Sequence, residues 1–177
     1  PNPPPPNAKG IIRHPGFLRL TNGEILISYI YNTLPSTPYY GHSYYRRSDN
    51  EGKSWGDQFI MTPHPGLVNL LNDRIQILST GRILGIAEYK AYMPSTNDHS
   101  GYVGMSFFSD DQGYSWQVSQ NTVDMYPIEV QEADAVELRD GRILMFGRTY
   151  SGHPIRAYSC DEGETWGKGE EILELEM

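Results

Sequence analysis

The sequence has one cysteine, Cys160, in 177 residues. A single thiol excludes a disulfide within the chain, and no Cys/His spacing is typical of a zinc site, so we expect neither a metal nor another cofactor. No apolar run approaches the length of a membrane span, and no signal-peptide pattern precedes the first predicted strand. These absences predict a chain that does not insert into a membrane.

Basic residues are also scarce, because the sequence has 14 Lys and Arg against 22 Asp and Glu and a net charge of −8. Non-specific binding to nucleic acids depends on clustered cationic side chains that neutralise phosphates. We therefore expect neither DNA nor RNA as a partner.

Helical periodicity is missing as well, whereas aromatic residues make up 12% of the chain and 13 of them are tyrosines. Tyrosine-rich apolar segments favour strands over a helical bundle, so an all-β fold is predicted. Residues 1–9 are rich in proline, which cannot donate the hydrogen bonds of a sheet. We interpret them as an extended N-terminal arm.

A seven-residue pattern, L-x-x-G-x-I-L, occurs at residues 20–26, 78–84 and 138–144. Its turn glycines, Gly23, Gly81 and Gly141, are separated by 81 − 23 = 58 and 141 − 81 = 60 residues, which indicates a regular repeat. Asn-Gly or Asp-Gly between strand-forming residues is a strong hairpin signal. Each repeat unit is therefore predicted to begin with a β-hairpin.

Each hairpin is followed by a third apolar run and then by an octet that ends in one of the three tryptophans, at residues 48–55, 109–116 and 159–166. The Asp or Asn at the third position of the octet favours an Asx-type turn, the glycine supplies a positive φ, and the tryptophan begins a fourth strand. Each unit is thus predicted to be a four-stranded antiparallel meander.

A period of this length with four strands per unit is typical of a β-propeller. The predicted blades span about residues 10–65, 66–126 and 127–177, after the Pro-rich arm. Propellers usually need at least about four blades to close. The chain is therefore predicted to form half of a six-bladed propeller, completed either by the second half of a longer protein or by a second copy in a homodimer.

The antiparallel strand order predicts that the two ends of each unit differ. The hairpin turns and the octets share one end, and the loops before the first strand and after the second strand share the other. Ligands of propellers usually bind at the axial mouth, so charged residues at the second end are candidates for a binding site. Counting from the turn glycines gives Arg13, Asp73, Arg74, Glu88, Glu132 and Arg148.

The octet S-x-D-x-G-x-[ST]-W resembles the Asp box of the sialidase (neuraminidase) superfamily and of related BNR-repeat proteins. The resemblance covers the chain from about residue 12 to residue 166, and only the first copy departs, with Asn50 in place of Asp. It implies a sialidase-like glycoside hydrolase that acts on sialic acid or another acidic glycan, and it favours a secreted or periplasmic location. The alternative is a non-catalytic propeller that binds glycans or proteins, because Asp boxes support the fold more strongly than the chemistry.

The resemblance also assigns roles to residues. The segment that begins at Arg13 is similar to the family's Arg-Ile-Pro motif, which implies that this arginine grips the substrate carboxylate. The segment from Glu132 to Arg148 is similar to the family's Glu-Pro segment, which implies that Glu132 activates a tyrosine nucleophile and that Arg148 is a second carboxylate clamp. Guanidinium groups bind planar carboxylates bidentately, which suits these roles. Asp73, Arg74 and Glu88 are further candidates for substrate binding.

Several departures from the family pattern stand beside these matches. His14 replaces the isoleucine of the Arg-Ile-Pro motif, Ala133 replaces the proline after the glutamate, and residues 31–42 contain no aspartate for the usual acid. Asp98 and His99, in the corresponding loop of the second unit, are the substitute candidates. The family's nucleophile belongs to later blades, and the nearest tyrosines in this sequence are Tyr126 and Tyr150.

Overall fold

The computed structural model describes residues 10–33, 41–90 and 101–175, and every regular element in these ranges is a β-strand, which confirms the all-β prediction. The described residues include no helix of the length and hydrophobicity needed to cross a membrane. The strands are β1 (Gly10–Arg19), β2 (Ile25–Thr33), β3 (Gly41–Ser48), β4 (Phe59–Ile60), β5 (Leu67–Asn69), β6 (Ile75–Ile77), β7 (Ile83–Lys90), β8 (Val103–Ser109), β9 (Gln117–Val118), β10 (Gln131–Glu137), β11 (Ile143–Arg148), β12 (Ile155–Ser159) and β13 (Glu170–Glu171).

The strands form three successive antiparallel units: unit 1 (β1 to β4), unit 2 (β5 to β9) and unit 3 (β10 to β13). The predicted hairpin opens each unit. Gly23, Gly81 and Gly141 have φ values of 91°, 96° and 84°, and each donates its backbone N–H to the leucine three residues earlier at 3.0, 2.9 and 3.0 Å. Glycine adopts this backbone conformation without the steric cost that other residues carry.

The units are not three separate sheets. Units 1 and 2 share a nine-stranded sheet, because the short strand β5 pairs antiparallel with β7 and also forms one parallel pair, Gly41 with Leu67, with β3. The inner strand of unit 2 is broken between β5 and β6, and β5 lies beside the start of β3 in unit 1. Unit 3 keeps a four-stranded sheet of its own.

The hydrophobic core lies between the faces of successive units. One cluster joins Leu20 and Leu26 of unit 1 to Ile83 and Phe107 of unit 2. A second cluster joins unit 2 to unit 3 and includes Trp166, which is 4% exposed. The facing sheets of neighbouring units are therefore buried against each other, which is how sheet faces usually become a core.

The octet glycines set the spacing between units. A Cβ atom on Gly163 would lie 2.5 Å from Leu84 Cδ1, and one on Gly113 would lie 3.2 Å from Leu26 Cδ1. Both glycines also have positive φ values, 88° and 81°. A side chain at either position would require the facing leucine to move and would also face the steric cost of a positive φ.

Hydrogen bonds within the octet hold its turn. In unit 2 the Asp111 carboxylate accepts the backbone N–H of Ser115 at 2.8 Å and its hydroxyl at 2.6 Å, while Ser109 Oγ accepts the Gly113 N–H at 2.8 Å. Asn50 takes the aspartate position in unit 1, where it accepts the Ser54 N–H at 3.0 Å and donates to the Ser54 hydroxyl at 2.7 Å. The turn therefore forms with either residue.

We expect the Asp111→Asn variant to fold and to lose stability in a pH-dependent manner. Partial burial acts to raise the pKa of Asp111, but hydrogen bonds from Ser115, Ser109 and Tyr114 outweigh it and lower the pKa from 3.8 to about 2. The carboxylate therefore stabilises the fold above its unfolded pKa of about 3.9, and this contribution is lost as the pH falls through about 2.

Urea unfolding of both proteins at several pH values between about 6 and 2.5 measures this effect. The parent is predicted to be the more stable protein near pH 6, with a difference that shrinks toward pH 2.5. A difference that stays constant over this range would contradict the assignment.

A substitution at Gly16 is also expected to lower stability, because a Cβ atom there would lie 2.1 Å from the backbone oxygen of Asn72 in unit 2. Gly16→Ala is expected to lower the free energy of unfolding by about 1–3 kcal/mol or more, as overpacking does in a close-packed core. Gly56→Ala is the control, because the nearest atom to its Cβ would be Arg47 O at 3.6 Å. Equal thermal midpoints for the two variants would show that the close approach at Gly16 is unimportant.

Candidate functional site

A kink recurs at the same repeat position in all three units. His14, Asn72 and Glu132 each lie nine residues before their turn glycine, and their φ values are 54°, 50° and 48°. The register of β1 with β2 and of β10 with β11 shifts at this point, and the inner strand of unit 2 breaks there. A left-handed backbone at a non-glycine residue costs of order 1–3 kcal/mol and tends to occur at functional sites. The same conformation recurs in the octets at Glu51, Gln112 and Glu162, but at this end it coincides with the candidate residues predicted from the sequence.

The kinked ends of neighbouring units contact each other. His14 Nδ1 lies 3.2 Å from Asn72 Oδ1, a contact that joins units 1 and 2. Arg74 donates from Nη1 to the backbone oxygen of Ala133 at 3.3 Å, a contact that joins units 2 and 3. The kinks thus form one continuous edge at the end of the units opposite the octets.

Glu132 and Arg148 form an ion pair on this edge. Glu132 Oε1 accepts hydrogen bonds from Arg148 Nη2 at 3.0 Å and from Nε at 3.2 Å. The two side chains remain 48% and 37% exposed, so both are open to solvent and to a ligand. Glu132 is therefore half-exposed, although the role suggested for it by the sequence suits a buried carboxylate.

Two further side chains contact the Arg148 guanidinium. Gln131 accepts a short hydrogen bond from Nη2, and the Tyr150 ring centroid lies 5.0 Å from Arg148 Cζ. The pKa of Arg148 is raised from its ordinary value, first by the Tyr150 hydroxyl and then by Glu132, while partial burial opposes the shift. Arg148 is consequently a fixed cation beside an exposed aromatic ring.

Glu88 reaches this edge from unit 2. Its Oε2 accepts the backbone N–H of Glu132 at 3.0 Å, and its Oε1 accepts a hydrogen bond from Asn69 Nδ2 at 3.0 Å. Within the described ranges, Arg74 forms no ion pair with Asp73 or Glu88. The structure brings Glu88 next to Glu132 and Arg148, with both carboxylate oxygens already engaged.

Arg13 and Asp73 lie on the same kinked segments but stand apart from the ion pair. Arg13 pairs in register with Ile30, precedes the His14 kink and is exposed, and Asp73 is exposed directly after the Asn72 kink. Among the described residues neither joins Glu132 or Arg148 through a hydrogen bond or salt bridge. The structure therefore brings Glu88 of unit 2 next to Glu132 and Arg148 of unit 3, whereas Arg13 lies in unit 1.

The remaining candidates, Asp98 and His99, lie outside the described residues, as do residues 34–40 of the corresponding loop in unit 1. Tyr126 and Tyr150, the tyrosines nearest in sequence, are 75% and 72% exposed. In the ranges that the structure describes, no group of three or more His, Cys, Asp or Glu side chains has the arrangement of a metal site.

Sequence reasoning missed the contact of Gln131 with Arg148. A regular hairpin about Gly141 places Arg148 opposite Glu132, but the bulge shifts the register so that Arg148 pairs with Gln131. The contact of Glu88 with the Glu132 backbone could not be predicted from the sequence either, since it depends on how units 2 and 3 pack. The recurring polar residues nine positions before each turn glycine were the only available signal.

Comparison with known proteins agrees with this fold. The family model for the BNR repeat-like domain matches residues 12–175. The anhydrosialidase of Macrobdella decora is 30% identical over 125 residues, which cover 68% of this chain and 16% of that protein. The chain therefore spans only a small part of this relative.

Two solved structures extend the comparison. A protein of unknown function from Dyadobacter fermentans has a TM-score of 0.69 at 22% identity and covers 90% of this chain and 50% of its own. The intramolecular trans-sialidase of Ruminococcus gnavus, solved with oseltamivir carboxylate, has a TM-score of 0.72 at 14% identity and covers 96% of this chain and 55% of its own. At these identities the likeness concerns the fold, and the chain spans about half of each structure.

The resemblance expected from the Asp boxes is thus confirmed by a family model that matches nearly the whole described chain, and the chain belongs to the BNR repeat-like domain family of the sialidase superfamily.

Proposed function

We propose that this chain carries part of the active site of a sialidase-like glycoside hydrolase that acts on the end of a glycan bearing sialic acid or another acidic sugar. The observation that carries the proposal is the exposed Glu132–Arg148 pair on the kinked edge. A guanidinium binds a ligand carboxylate bidentately, and the adjacent carboxylate is in position to act on a proton. The trans-sialidase of similar fold was solved with oseltamivir carboxylate, which supports an acidic substrate.

In this proposal Arg148 and Arg13 bind the substrate carboxylate, and Glu132 is the base partner of a tyrosine nucleophile. Glu132 competes with the substrate for Arg148, because one of its oxygens already accepts two hydrogen bonds from the guanidinium. A bound carboxylate would therefore displace Glu132 in part and release it for proton transfer. Asp73 and Arg74 border the substrate, and Asp98 and His99 are the candidates for the acid.

The nucleophile and the rest of the ring are proposed to come from further blades. Three units leave two faces without a neighbour, and the relatives of this chain are longer. On unit 3, Phe146 is 41% exposed, whereas Ile86 at the same repeat position in unit 2 is 1% exposed under unit 3. We propose a six-bladed propeller with blades at about residues 10–65, 66–126 and 127–177, completed by a longer polypeptide or by a second copy of this chain.

A second function, glycan binding without hydrolysis, is favoured by a separate observation. Tyr126 and Tyr150 are both largely exposed, and Tyr150 flanks Arg148. Aromatic rings beside a cation can bind an acidic sugar by stacking and ion pairing, with no nucleophile required.

Light scattering measures whether a second copy fills the open faces. If it does, the 177-residue chain has twice its 20.1 kDa mass, and Phe146→Asp returns it to one chain because a charge on the buried face is costly. Val118→Asp is the control, because Val118 is 37% exposed on the outer strand of unit 2. A single-chain mass for the parent excludes the second copy and leaves the longer polypeptide.

The hydrolase proposal is tested on the complete propeller, either the dimer or the longer polypeptide, with a fluorogenic sialoside and a panel of glycosides of acidic sugars. Glu132→Gln is expected to reduce kcat by about 10²–10⁴-fold, the usual contribution of a general acid or base. Glu137→Gln is the matched control, since Glu137 lies on the same strand and its carboxylate binds Ser79 at the opposite end. Saturable binding of these glycosides without turnover by the parent protein would favour the binding function instead.

A further inference from the structure

We propose that Glu88 is a positioning residue that holds the kink at Glu132 and thereby aims the Glu132 carboxylate at Arg148. The proposal rests on the proposed function only for its effect on turnover. Its structural part, that one carboxylate fixes the backbone of another residue across two units, stands on contacts alone.

The backbone at the Glu132 kink departs from regular strand geometry. Glu132 has a left-handed backbone, with φ of 48°, and the register shift beside it removes part of the regular ladder between β10 and β11. Glu132 N–H instead donates to Glu88 Oε2 at 3.0 Å. A strained conformation persists only when its surroundings fix it, and a charge-assisted hydrogen bond is the stronger kind.

Glu88 is itself held by a hydrogen bond within unit 2. Its other oxygen accepts Asn69 Nδ2 at 3.0 Å, and Asn69 and Glu88 face each other in the β5–β7 pair. Asn69 Oδ1 is buried and has no hydrogen-bond partner among the described residues. Glu88 is therefore held from its own unit while it holds the next unit.

The residues that correspond to Glu88 in the other units are different. Ile30, Glu88 and Arg148 occupy the same position, seven residues after their turn glycines. The Ile30 side chain cannot accept an N–H, so it cannot hold the Asn72 backbone in the same way. Among the described residues, a carboxylate from the preceding unit accepts the backbone N–H at the Glu132 kink, which carries the ion pair with Arg148, and not at the Asn72 kink.

Glu88→Gln is a conservative variant that can keep both bonds. Its side-chain oxygen can accept the Glu132 N–H, and its amide can donate to Asn69 Oδ1 after the Asn69 amide turns over. Glu88→Ala removes both. Glu137→Ala is the matched control, since Glu137 also accepts a backbone N–H across the same two units, from Ser79 at 2.7 Å, but at the octet end.

Residue-resolved hydrogen exchange by NMR tests the structural part in the intact chain without any substrate. The Glu132 amide is expected to exchange at least about tenfold faster in Glu88→Ala, and to stay near the parent rate in Glu88→Gln and Glu137→Ala. An unchanged Glu132 amide in Glu88→Ala, with the protein folded, overturns the inference whatever the activity.

Kinetics of the complete propeller, either the dimer or the longer polypeptide, test the functional part. Glu88→Ala is expected to lower kcat by about 10–100-fold with KM within about threefold of the parent, because a displaced catalytic group loses its alignment, and Glu88→Gln is expected to restore most of the loss. Equal kcat values for Glu88→Ala and Glu137→Ala would overturn positioning. A parent protein without turnover contradicts the hydrolase proposal alone, since the exchange measurement still decides the role of Glu88.

Discussion

Neighbouring units are held together by the burial of their facing sheets, and two core clusters join each unit to the next. Within this interface an octet glycine packs closely against a leucine of the preceding unit, Gly163 against Leu84 and Gly113 against Leu26. At the end opposite the octets the inner strands of neighbouring units also contact each other, through His14 with Asn72 and through Arg74 with Ala133.

Contacts between units also hold the kinked edge. The backbone of Asn72 passes directly against Gly16, and Arg74 and Glu88 reach from unit 2 into unit 3. The Glu132–Arg148 pair is therefore held partly by its own hairpin and partly by its neighbour. The octets are held by local hydrogen bonds and packing. Both ends of the units carry left-handed non-glycine residues and exposed charges, and Glu88, Glu132 and Arg148 lie together at the end opposite the octets.

Much of the fold could be predicted because it is encoded locally. Turn glycines, strand-forming residues and the octet each act within about ten residues of sequence, and they predicted the hairpins and the all-β architecture. The shared sheet of units 1 and 2 could not be predicted, because it depends on a strand break at Asn72. A left-handed backbone at Glu132 is also unusual for its residue type, so residue propensity does not predict it.

The candidate site was predictable in part for the same reason. Glu132 and Arg148 lie on one hairpin, so counting from Gly141 predicted that both lie at the same end of the unit, whereas the contact of Gln131 depends on a bulge that counting cannot locate. Glu88 is a contact between units, which no local pattern encodes. Arg13 keeps its predicted place at the kinked end, and a role for it together with Arg148 remains part of the proposal.

The proposed binding of an acidic sugar at the kinked edge around Arg148 can be measured by NMR titration of the ¹⁵N-labelled chain with 3′-sialyllactose. We expect saturable shifts at the Arg148 side-chain N–H and at the Gln131 and Glu132 amides, with little change at Asp111 and Asp161 in the octets. Shifts centred on the octet end, or saturable binding that leaves the Arg148 resonance unmoved, would contradict it.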